Sequence, residues 1–183
     1  MNTFNRLSVI LVIFSFFSCE KEESNLQKHL KALLGKEIVL TDSLFVFNNS
    51  DTSYYANVVN SKCKLIFYVD STNCTDCRIK KIQLWTTLYD ESIRDNCPIV
   101  IIFNTRDIYG MEMAFERYDI DMPFIIDWNG SFHRTNRIPQ EEQLNTFLVY
   151  NNKVVIAGDP LGNEKMQKLY KKQLMKIIKD EGY

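Results

Sequence analysis

The sequence predicts an α/β fold in which a mixed sheet is covered by helices on both faces. The first observation is that strand-like and helix-like runs alternate through the centre of the chain, in the order KLIFYV, CRIKKIQLWTTLYDE, PIVIIF, YGMEMAFERYDI and PFIID. Strands joined by helical crossovers lie parallel in one sheet. The second is that NTFLVY and KVVIAG flank Asn151 and Asn152, which is typical of a β-hairpin and adds antiparallel strands.

The chain before this central unit contains one predicted helix and two short β-rich runs. In SNLQKHLKALLG, the leucines at positions 26, 30, 33 and 34 share one helical face, and Gly35 ends the helix. In KEIVLTDSLFVF, two runs are separated by Thr41 and Asp42, which predicts a hairpin or an edge ribbon.

Two further helices are predicted to be amphipathic, so that each covers the sheet with one face. The central helix has an apolar face formed by Ile82, Trp85, Leu88 and Tyr89. The last helix, NEKMQKLYKKQLMKIIKD, turns inward the residues Met166, Leu169, Tyr170, Leu174, Ile177 and Ile178.

Length and composition indicate one ordinary globular domain. The chain has 183 residues, of which 45% are hydrophobic and 25% are charged, and this length is too short for two domains of usual size. A formal net charge of -1 gives no basic surface of the kind that binds nucleic acid. We therefore expect no nucleic-acid partner.

The first 18 residues differ from the rest, because Arg6 is followed by an uncharged apolar run that ends at Ser18 and precedes Cys19. The run is too short to span a bilayer and is typical of a signal peptide. It resembles the lipobox of bacterial lipoproteins, which implies lipidation of Cys19 and attachment to a membrane. A plain secretory signal is the alternative. We expect a signal peptide at 1–18, a tether at 19–28 and a domain at 29–183.

Either signal places the domain in the cell envelope, facing the periplasm or the cell exterior, where disulfides persist. With Cys19 attached to lipid, four cysteines remain. Cys63 and Cys97 each precede a strand predicted to be parallel to the other. They either pair or remain as two half-buried thiols, and the second interpretation is favoured because the sequence gives no Cα separation.

The other two cysteines, Cys74 and Cys77, stand where a predicted strand ends and a helix begins. Unpaired backbone N–H groups and the helix dipole favour a thiolate at such a position. Cys74 is thus predicted to be the nucleophile and Cys77, one helical turn later, the residue that resolves a mixed disulfide. Asp76 destabilises the thiolate form, which predicts a reducing or isomerising protein.

Two other interpretations of this pair are a metal site and a structural staple. A metal site needs two more ligands, and the sequence has no second Cys-x-x-Cys or His-x-x-x-His, since His29 and His133 are isolated. A staple across so short a loop removes little entropy from the unfolded chain. We expect no metal and no cofactor.

The mature chain resembles the TlpA-like branch of the membrane-anchored, thioredoxin-like thiol-disulfide oxidoreductases of bacteria. The resemblance is carried by YVDST, CTDC, PFIIDWNGSF and TFLVYNNKVVIAGDP. It implies a thioredoxin-like fold, a redox pair formed by Cys74 and Cys77, and protein or small-molecule thiols and disulfides as partners. The residues it implies to face the substrate are Asn73, Thr75, Asp76, Leu144 and Asn145.

The sequence departs from this family at two positions. The family usually has an aromatic residue where Asn73 stands, and a cis-proline where Leu144 precedes the strand beside the redox pair. A second alignment uses Pro123 for that proline. The first alignment is favoured, with a trans bond before Leu144, because a cis bond without proline costs about 3 kcal/mol. These departures motivate a second hypothesis, a binding or accessory lipoprotein on the same scaffold.

Overall fold

The structure, a computed structural model, describes residues 24–41, 44–47, 53–70, 75–88 and 96–182. The predicted signal peptide, Cys19, Asn73 and Cys74 lie outside these ranges. The elements are α1 (Asn25–Leu33), β1 (Phe45–Phe47), α2 (Ser53–Asn60), β2 (Cys63–Val69), α3 (Thr75–Leu88), β3 (Ile99–Phe103), α4 (Ile108–Arg117), β4 (Phe124–Ile126), α5 (Ser131–Asn136), a 3₁₀ turn (Glu142–Leu144), β5 (Thr146–Tyr150), β6 (Lys153–Ala157) and α6 (Glu164–Glu181).

The strands form one mixed sheet of six strands in the order β1-β4-β3-β2-β5-β6. Strands β2, β3 and β4 are parallel, as the crossover helices predict. Strand β5 lies antiparallel to β2 on its other side, and β6 follows antiparallel to β5. The predicted mixed sheet is confirmed.

Strand β2 lies at the centre of the sheet, and all seven of its residues are buried. Successive side chains point to opposite faces of a strand. Leu65 and Phe67 therefore join one hydrophobic cluster, which receives residues of α3, α4 and α6. Ile66 and Tyr68 join a second cluster, which receives residues of α1, α2 and α5. Helices thus cover both faces, as predicted.

The first helix begins inside the range 19–28 that the sequence assigns to a tether. The Ser24 hydroxyl accepts the backbone N–H of Gln27, and the Gln27 side chain accepts the backbone N–H of Ser24. This capping box fixes the start of α1 at Asn25. In the part of the chain that the structure describes, no helix has the length and apolar character to cross a membrane.

The hairpin predicted for residues 36–47 is not formed, because its two runs reach opposite edges of the sheet. Glu37 makes an isolated antiparallel bridge with Lys153 of β6. Phe45 of β1 pairs with Ile126 of β4 at the other edge. Between them, Ile38 and Leu44 enter the second cluster, so this segment crosses one face of the sheet. An edge strand is formed, but from the second run alone.

The late hairpin is confirmed. Asn151 and Asn152 form its two-residue turn with φ values of 48° and 60°, the positive values that favour asparagine in tight hairpins. In α6, Tyr170, Leu174 and Ile177 are buried as predicted, but Leu169 is 46% exposed and its inward assignment is wrong. Ile82 of α3 is also buried.

Cys63 and Cys97 form a disulfide, which overturns the interpretation of two half-buried thiols. The parallel register pairs Leu65 with Ile99, and this places the two cysteines opposite each other with a Cα–Cα distance of 4.7 Å. That separation lies within the range that a disulfide requires. The two residues are 3% and 0% exposed. The disulfide joins β2 to the segment before β3, at the amino end of β2.

We expect replacement of both Cys63 and Cys97 by alanine to lower the free energy of unfolding by about 4 kcal/mol, since the disulfide closes a loop of 34 residues in the unfolded chain. Equilibrium unfolding in urea measures the change, and peptide mapping without reduction should yield one linked peptide. Cys77→Ala is the control that removes a thiol without removing this cross-link. Equal stability of the double variant and the wild type, or two alkylated peptides, contradicts the assignment.

Candidate functional site

The candidate site lies at the carboxyl end of β2, where the chain passes through residues 71–74 into α3. Cys77 is the third residue of α3 and is exposed to solvent. Thr75 and Asp76 lie in the same first turn of the helix, and Cys74 directly precedes it in the sequence. The first turn of a helix presents unpaired N–H groups and a positive dipole end, which favour a thiolate.

A second segment, the turn of residues 142–145, lies beside this end of β2. It consists of the 3₁₀ turn and Asn145, and it leads into β5. The antiparallel register pairs Phe67 with Thr146, and the backbone N–H of Tyr68 donates to the carbonyl of Asn145 at 2.9 Å. The turn therefore lies at the same end of β2 as the start of α3, which carries Cys77.

This arrangement supports the alignment that uses Leu144 over the one that uses Pro123. Pro123 precedes β4, which is separated from β2 by β3. Leu144 precedes β5, which is the direct neighbour of β2. Within the described ranges no peptide bond is cis, as expected for the bond before Leu144.

The two predicted substrate-facing residues of the turn are both buried. The Leu144 side chain belongs to the same hydrophobic cluster as Tyr68 and Phe147. Asn145 is buried as well, and its Oδ1 atom has no hydrogen-bond partner among the residues that the structure describes. A buried acceptor without a partner is uncommon because it loses its bonds to water. The exposed residues of the turn are Glu142 and Gln143.

A cluster of four charged residues joins α3 to the turn, and we call it the charge cluster: Arg78, Lys81, Glu142 and Asp159. Arg78 directly follows Cys77 and is only 6% exposed. Its Nη2 atom lies 2.8 Å from Glu142 Oε1 and donates to the Glu142 carbonyl at 3.2 Å. Its Nη1 atom lies 3.8 Å from Asp159 Oδ2.

Lys81 occupies the next turn of α3 and completes the charge cluster. Its Nζ atom lies 3.3 Å from Asp159 Oδ2 and 3.6 Å from Glu142 Oε1. Burial lowers the pKa of the Arg78 guanidinium, and the Asp159 carboxylate acts in the opposite direction. The Arg78 guanidinium nevertheless remains charged, because the pKa of arginine lies far above neutral pH. Two cations and two carboxylates therefore face one another beside α3, which we call the cysteine helix because it carries Cys77.

Asp127, which directly follows β4, caps the start of α5, and no sequence pattern identified this role. Its carboxylate is fully buried and accepts the Ser131 N–H at 2.7 Å, the Ser131 hydroxyl at 2.9 Å and the Phe132 N–H at 3.0 Å. These bonds satisfy N–H groups at the start of α5. The His133 ring of that helix lies 5.7 Å from the Tyr68 ring. Burial, followed by Asp127 and Asp70, raises the pKa of the Tyr68 hydroxyl.

The two histidines contact protein side chains, His133 the Tyr68 ring and His29 the Glu141 carboxylate. His29 Nδ1 lies 2.6 Å from Glu141 Oε1, next to the 142–145 turn. A backbone hydrogen bond, opposed by burial and assisted by His29, holds the pKa of Glu141 below its ordinary value. Among the described residues, no three His, Cys, Asp or Glu side chains are grouped so that they could hold a metal ion.

Comparison with solved structures gives the fold. A thioredoxin-like protein in its oxidised form is 16% identical, with a TM-score of 0.55, and the match covers 79% of this chain and 97% of that one. The C-terminal domain of a protein assigned as a thiol-disulfide oxidoreductase from Bacteroides thetaiotaomicron is 15% identical, with a TM-score of 0.53, and covers 78% and 97%. A protein assigned as the thiol:disulfide interchange protein DsbE from Chlorobium tepidum is 12% identical, with a TM-score of 0.52, and covers 77% and 97%.

These similarities show that the chain has a thioredoxin-like fold. At such low identity they carry the fold and not the activity. No protein-family model matches the chain, and no curated protein matches it. The function must therefore be argued from its own residues.

Proposed function

We propose that this protein is a membrane-anchored, extracytoplasmic thiol-disulfide oxidoreductase that uses Cys74 and Cys77. The observation that carries the proposal is the position of Cys77, exposed in the first turn of α3 at the carboxyl end of the central strand. Cys63 and Cys97 are joined in a buried disulfide at the other end of that strand. The proposed exchange pair, Cys74 and Cys77, is the Cys-x-x-Cys pair of the sequence and takes no part in that disulfide.

In the proposed reaction the Cys74 thiolate attacks one sulfur of a substrate disulfide. The substrate S–S bond breaks, a mixed disulfide forms, and the departing substrate thiolate takes a proton from water. The Cys77 thiolate then attacks the sulfur of Cys74, which forms the Cys74–Cys77 disulfide and releases the second substrate thiol. Two electrons pass from the pair to the substrate, and a dithiol donor must return them.

We propose that two groups of residues face the substrate. Asn73, Thr75 and Asp76 flank the two cysteines in the sequence, and Leu144 with Asn145 comes from the turn beside Tyr68. Asp76 adds a negative charge next to the thiols, which disfavours the reduced form and makes the pair a stronger reductant. We therefore propose that it reduces or isomerises disulfides rather than introducing them.

We expect Cys74→Ser to abolish insulin disulfide reduction, because the attacking thiolate is lost. Cys77→Ser should instead accumulate mixed disulfides with the substrate, because the resolving thiol is missing. Nonreducing gels and mass spectrometry measure both effects, and Cys63→Ala with Cys97→Ala is the control that leaves the pair intact. Undiminished activity in both serine variants would refute the proposal.

A second candidate function, a binding or accessory lipoprotein, is favoured by the turn of residues 142–145. Leu144 replaces the proline of the resembling family and its side chain is buried. The carbonyls of Glu142 and Gln143 accept internal bonds, from Asn145 and Asp159 respectively. A turn closed in this way offers less backbone to a substrate.

A redox-buffer titration of the full chain separates the two candidates. For the oxidoreductase we expect Cys74 and Cys77 to titrate together near about -270 mV, the potential of a reducing exchange protein. Alkylation at each potential followed by mass measurement of each cysteine gives the value. A pair that stays oxidised below about -300 mV, or never pairs, favours the binding protein.

The anchor proposal is supported by the signal-like run at 1–18 and by Cys19. We expect the full chain, expressed in a lipoprotein-processing bacterium, to sediment with membranes and to begin at an acylated Cys19. Cys19→Ala should move it to the soluble fraction, because acyl chains provide about 0.8 kcal/mol of membrane binding for each buried methylene. Intact-mass measurement checks acylation, and Cys77→Ala is the control. Cleavage without added acyl mass would instead indicate a plain secretory signal.

A further inference from the structure

We propose that Arg78 is a positioning residue that fixes the 142–145 turn against the cysteine helix, and that reduction of polypeptide disulfides depends on this contact more than reduction of small ones. The inference rests on the function proposed above and adds the class of substrate. Its first support is sequence position, because Arg78 directly follows Cys77 and shares the first turns of α3 with it.

The second support is the geometry of the Arg78 contacts. One nitrogen, Nη2, reaches both the carboxylate of Glu142, at 2.8 Å, and its carbonyl, at 3.2 Å. The guanidinium thereby holds the side chain and the backbone of the same residue. A lysine ammonium lacks the planar fork that presents several donors in fixed directions, so charge alone does not reproduce this contact.

The third support is that the turn is held from two sides. On one side Arg78 donates to the Glu142 carbonyl. On the other side the backbone N–H of Asp159 donates to the Gln143 carbonyl at 2.8 Å. Asp159 also faces Arg78 and Lys81 through its carboxylate. The charge cluster therefore connects the cysteine helix, the turn before β5 and the turn after β6.

The position of Asn145 explains why a polypeptide substrate should depend on this turn. Asn145 bonds to the backbone of Tyr68, near the end of β2, and its buried Oδ1 lacks a partner within the described residues. A polypeptide substrate extends by about 3.3 Å per residue from its own cysteine, so the residues beside that cysteine reach the segments next to the start of α3, and the turn is one of these. A small disulfide ends before it reaches them.

Removal of Arg78 alone would also change the local electric field, since it leaves one cation, Lys81, and two carboxylates among the described residues of the charge cluster. A thiolate near excess negative charge has a raised pKa, which would slow every exchange reaction. The variant Arg78→Met with Glu142→Gln avoids this, because it removes one positive and one negative charge together. It breaks the contact and keeps the charge cluster neutral.

The experiment compares single-turnover oxidation of prereduced full-length protein by insulin and by 2-hydroxyethyl disulfide. For the Arg78→Met, Glu142→Gln double variant we expect the insulin rate to fall by about tenfold or more, since misplacement of a binding segment is costly. The rate with 2-hydroxyethyl disulfide, and the thiol pKa from its pH profile, should stay near the wild-type values. Lys80→Met, an exposed position in the same helix, is the control and should change neither rate.

Equal losses with both disulfides, or no loss with either, would overturn the role of Arg78. If the double variant does not fold, the ratio of the insulin rate to the 2-hydroxyethyl disulfide rate is measured in Arg78→Lys, which keeps the charge. A ratio equal to that of the wild type would also overturn the role of Arg78. Failure of the proposed function is a different result, because wild-type protein would then react with neither disulfide.

Discussion

The structure depends on the complete burial of β2, which is paired on both edges and covered on both faces. In such a strand each side chain is committed to one of two cores, and a shift by one residue would exchange them. Leu65 and Phe67 face the core under α3, α4 and α6, whereas Ile66 and Tyr68 face the other. The strand therefore cannot slide, and its carboxyl end at Val69 is held at a fixed place in the molecule.

The charge cluster extends this constraint from the strand to the loops around it. Burial of Arg78 removes its hydration, and a buried ion pair often gains no more from attraction than it loses by desolvation. Its net contribution to stability is thus expected to be small. The contact between Arg78 and Glu142 instead holds α3 and the turn of residues 142–145 next to each other. We therefore interpret the buried arginine as a residue that holds the turn in position, and not as one that adds much to the free energy of unfolding.

The sequence predicted those parts of the fold that depend on local pattern. Strands β2 and β3 are continuous β-branched and aromatic runs, and the Asn151–Asn152 turn joins β5 to β6, so their neighbours and directions could be inferred. The failures occurred where distant residues decide. The segment 36–47 reads as a hairpin locally, but Glu37 bonds to Lys153 and Phe45 to Ile126, and no local signal encodes those partners. The short helix α5 depends on Asp127, whose carboxylate accepts the Ser131 N–H at the start of that helix.

For the candidate site, the residue types could be predicted from the sequence, whereas their neighbours in space are known only from the structure. The Cys-x-x-Cys spacing and the position after a strand were sufficient to select Cys77, which is exposed at the start of a helix. Arg78 was not selected, because its partners Glu142 and Asp159 are 64 and 81 positions away in the sequence. Cys63 and Cys97 are also far apart in the sequence, and their pairing could not be predicted without the register of β2 against β3.

Accessibility separates the two pairs of cysteines at the ends of β2. A thiolate must approach a disulfide along the S–S axis for exchange, so a fully buried disulfide is protected by the fold whatever its potential. Cys63 and Cys97 have this protection, because the register of β2 and β3 encloses them. Cys77 lies after β2 on α3, and its side chain is exposed to solvent although the next two residues, Arg78 and Ile79, are buried. The central strand is thus followed by an exposed cysteine at one end and carries a buried cross-link at the other, and this difference in burial is what favours the proposed assignment of the two roles.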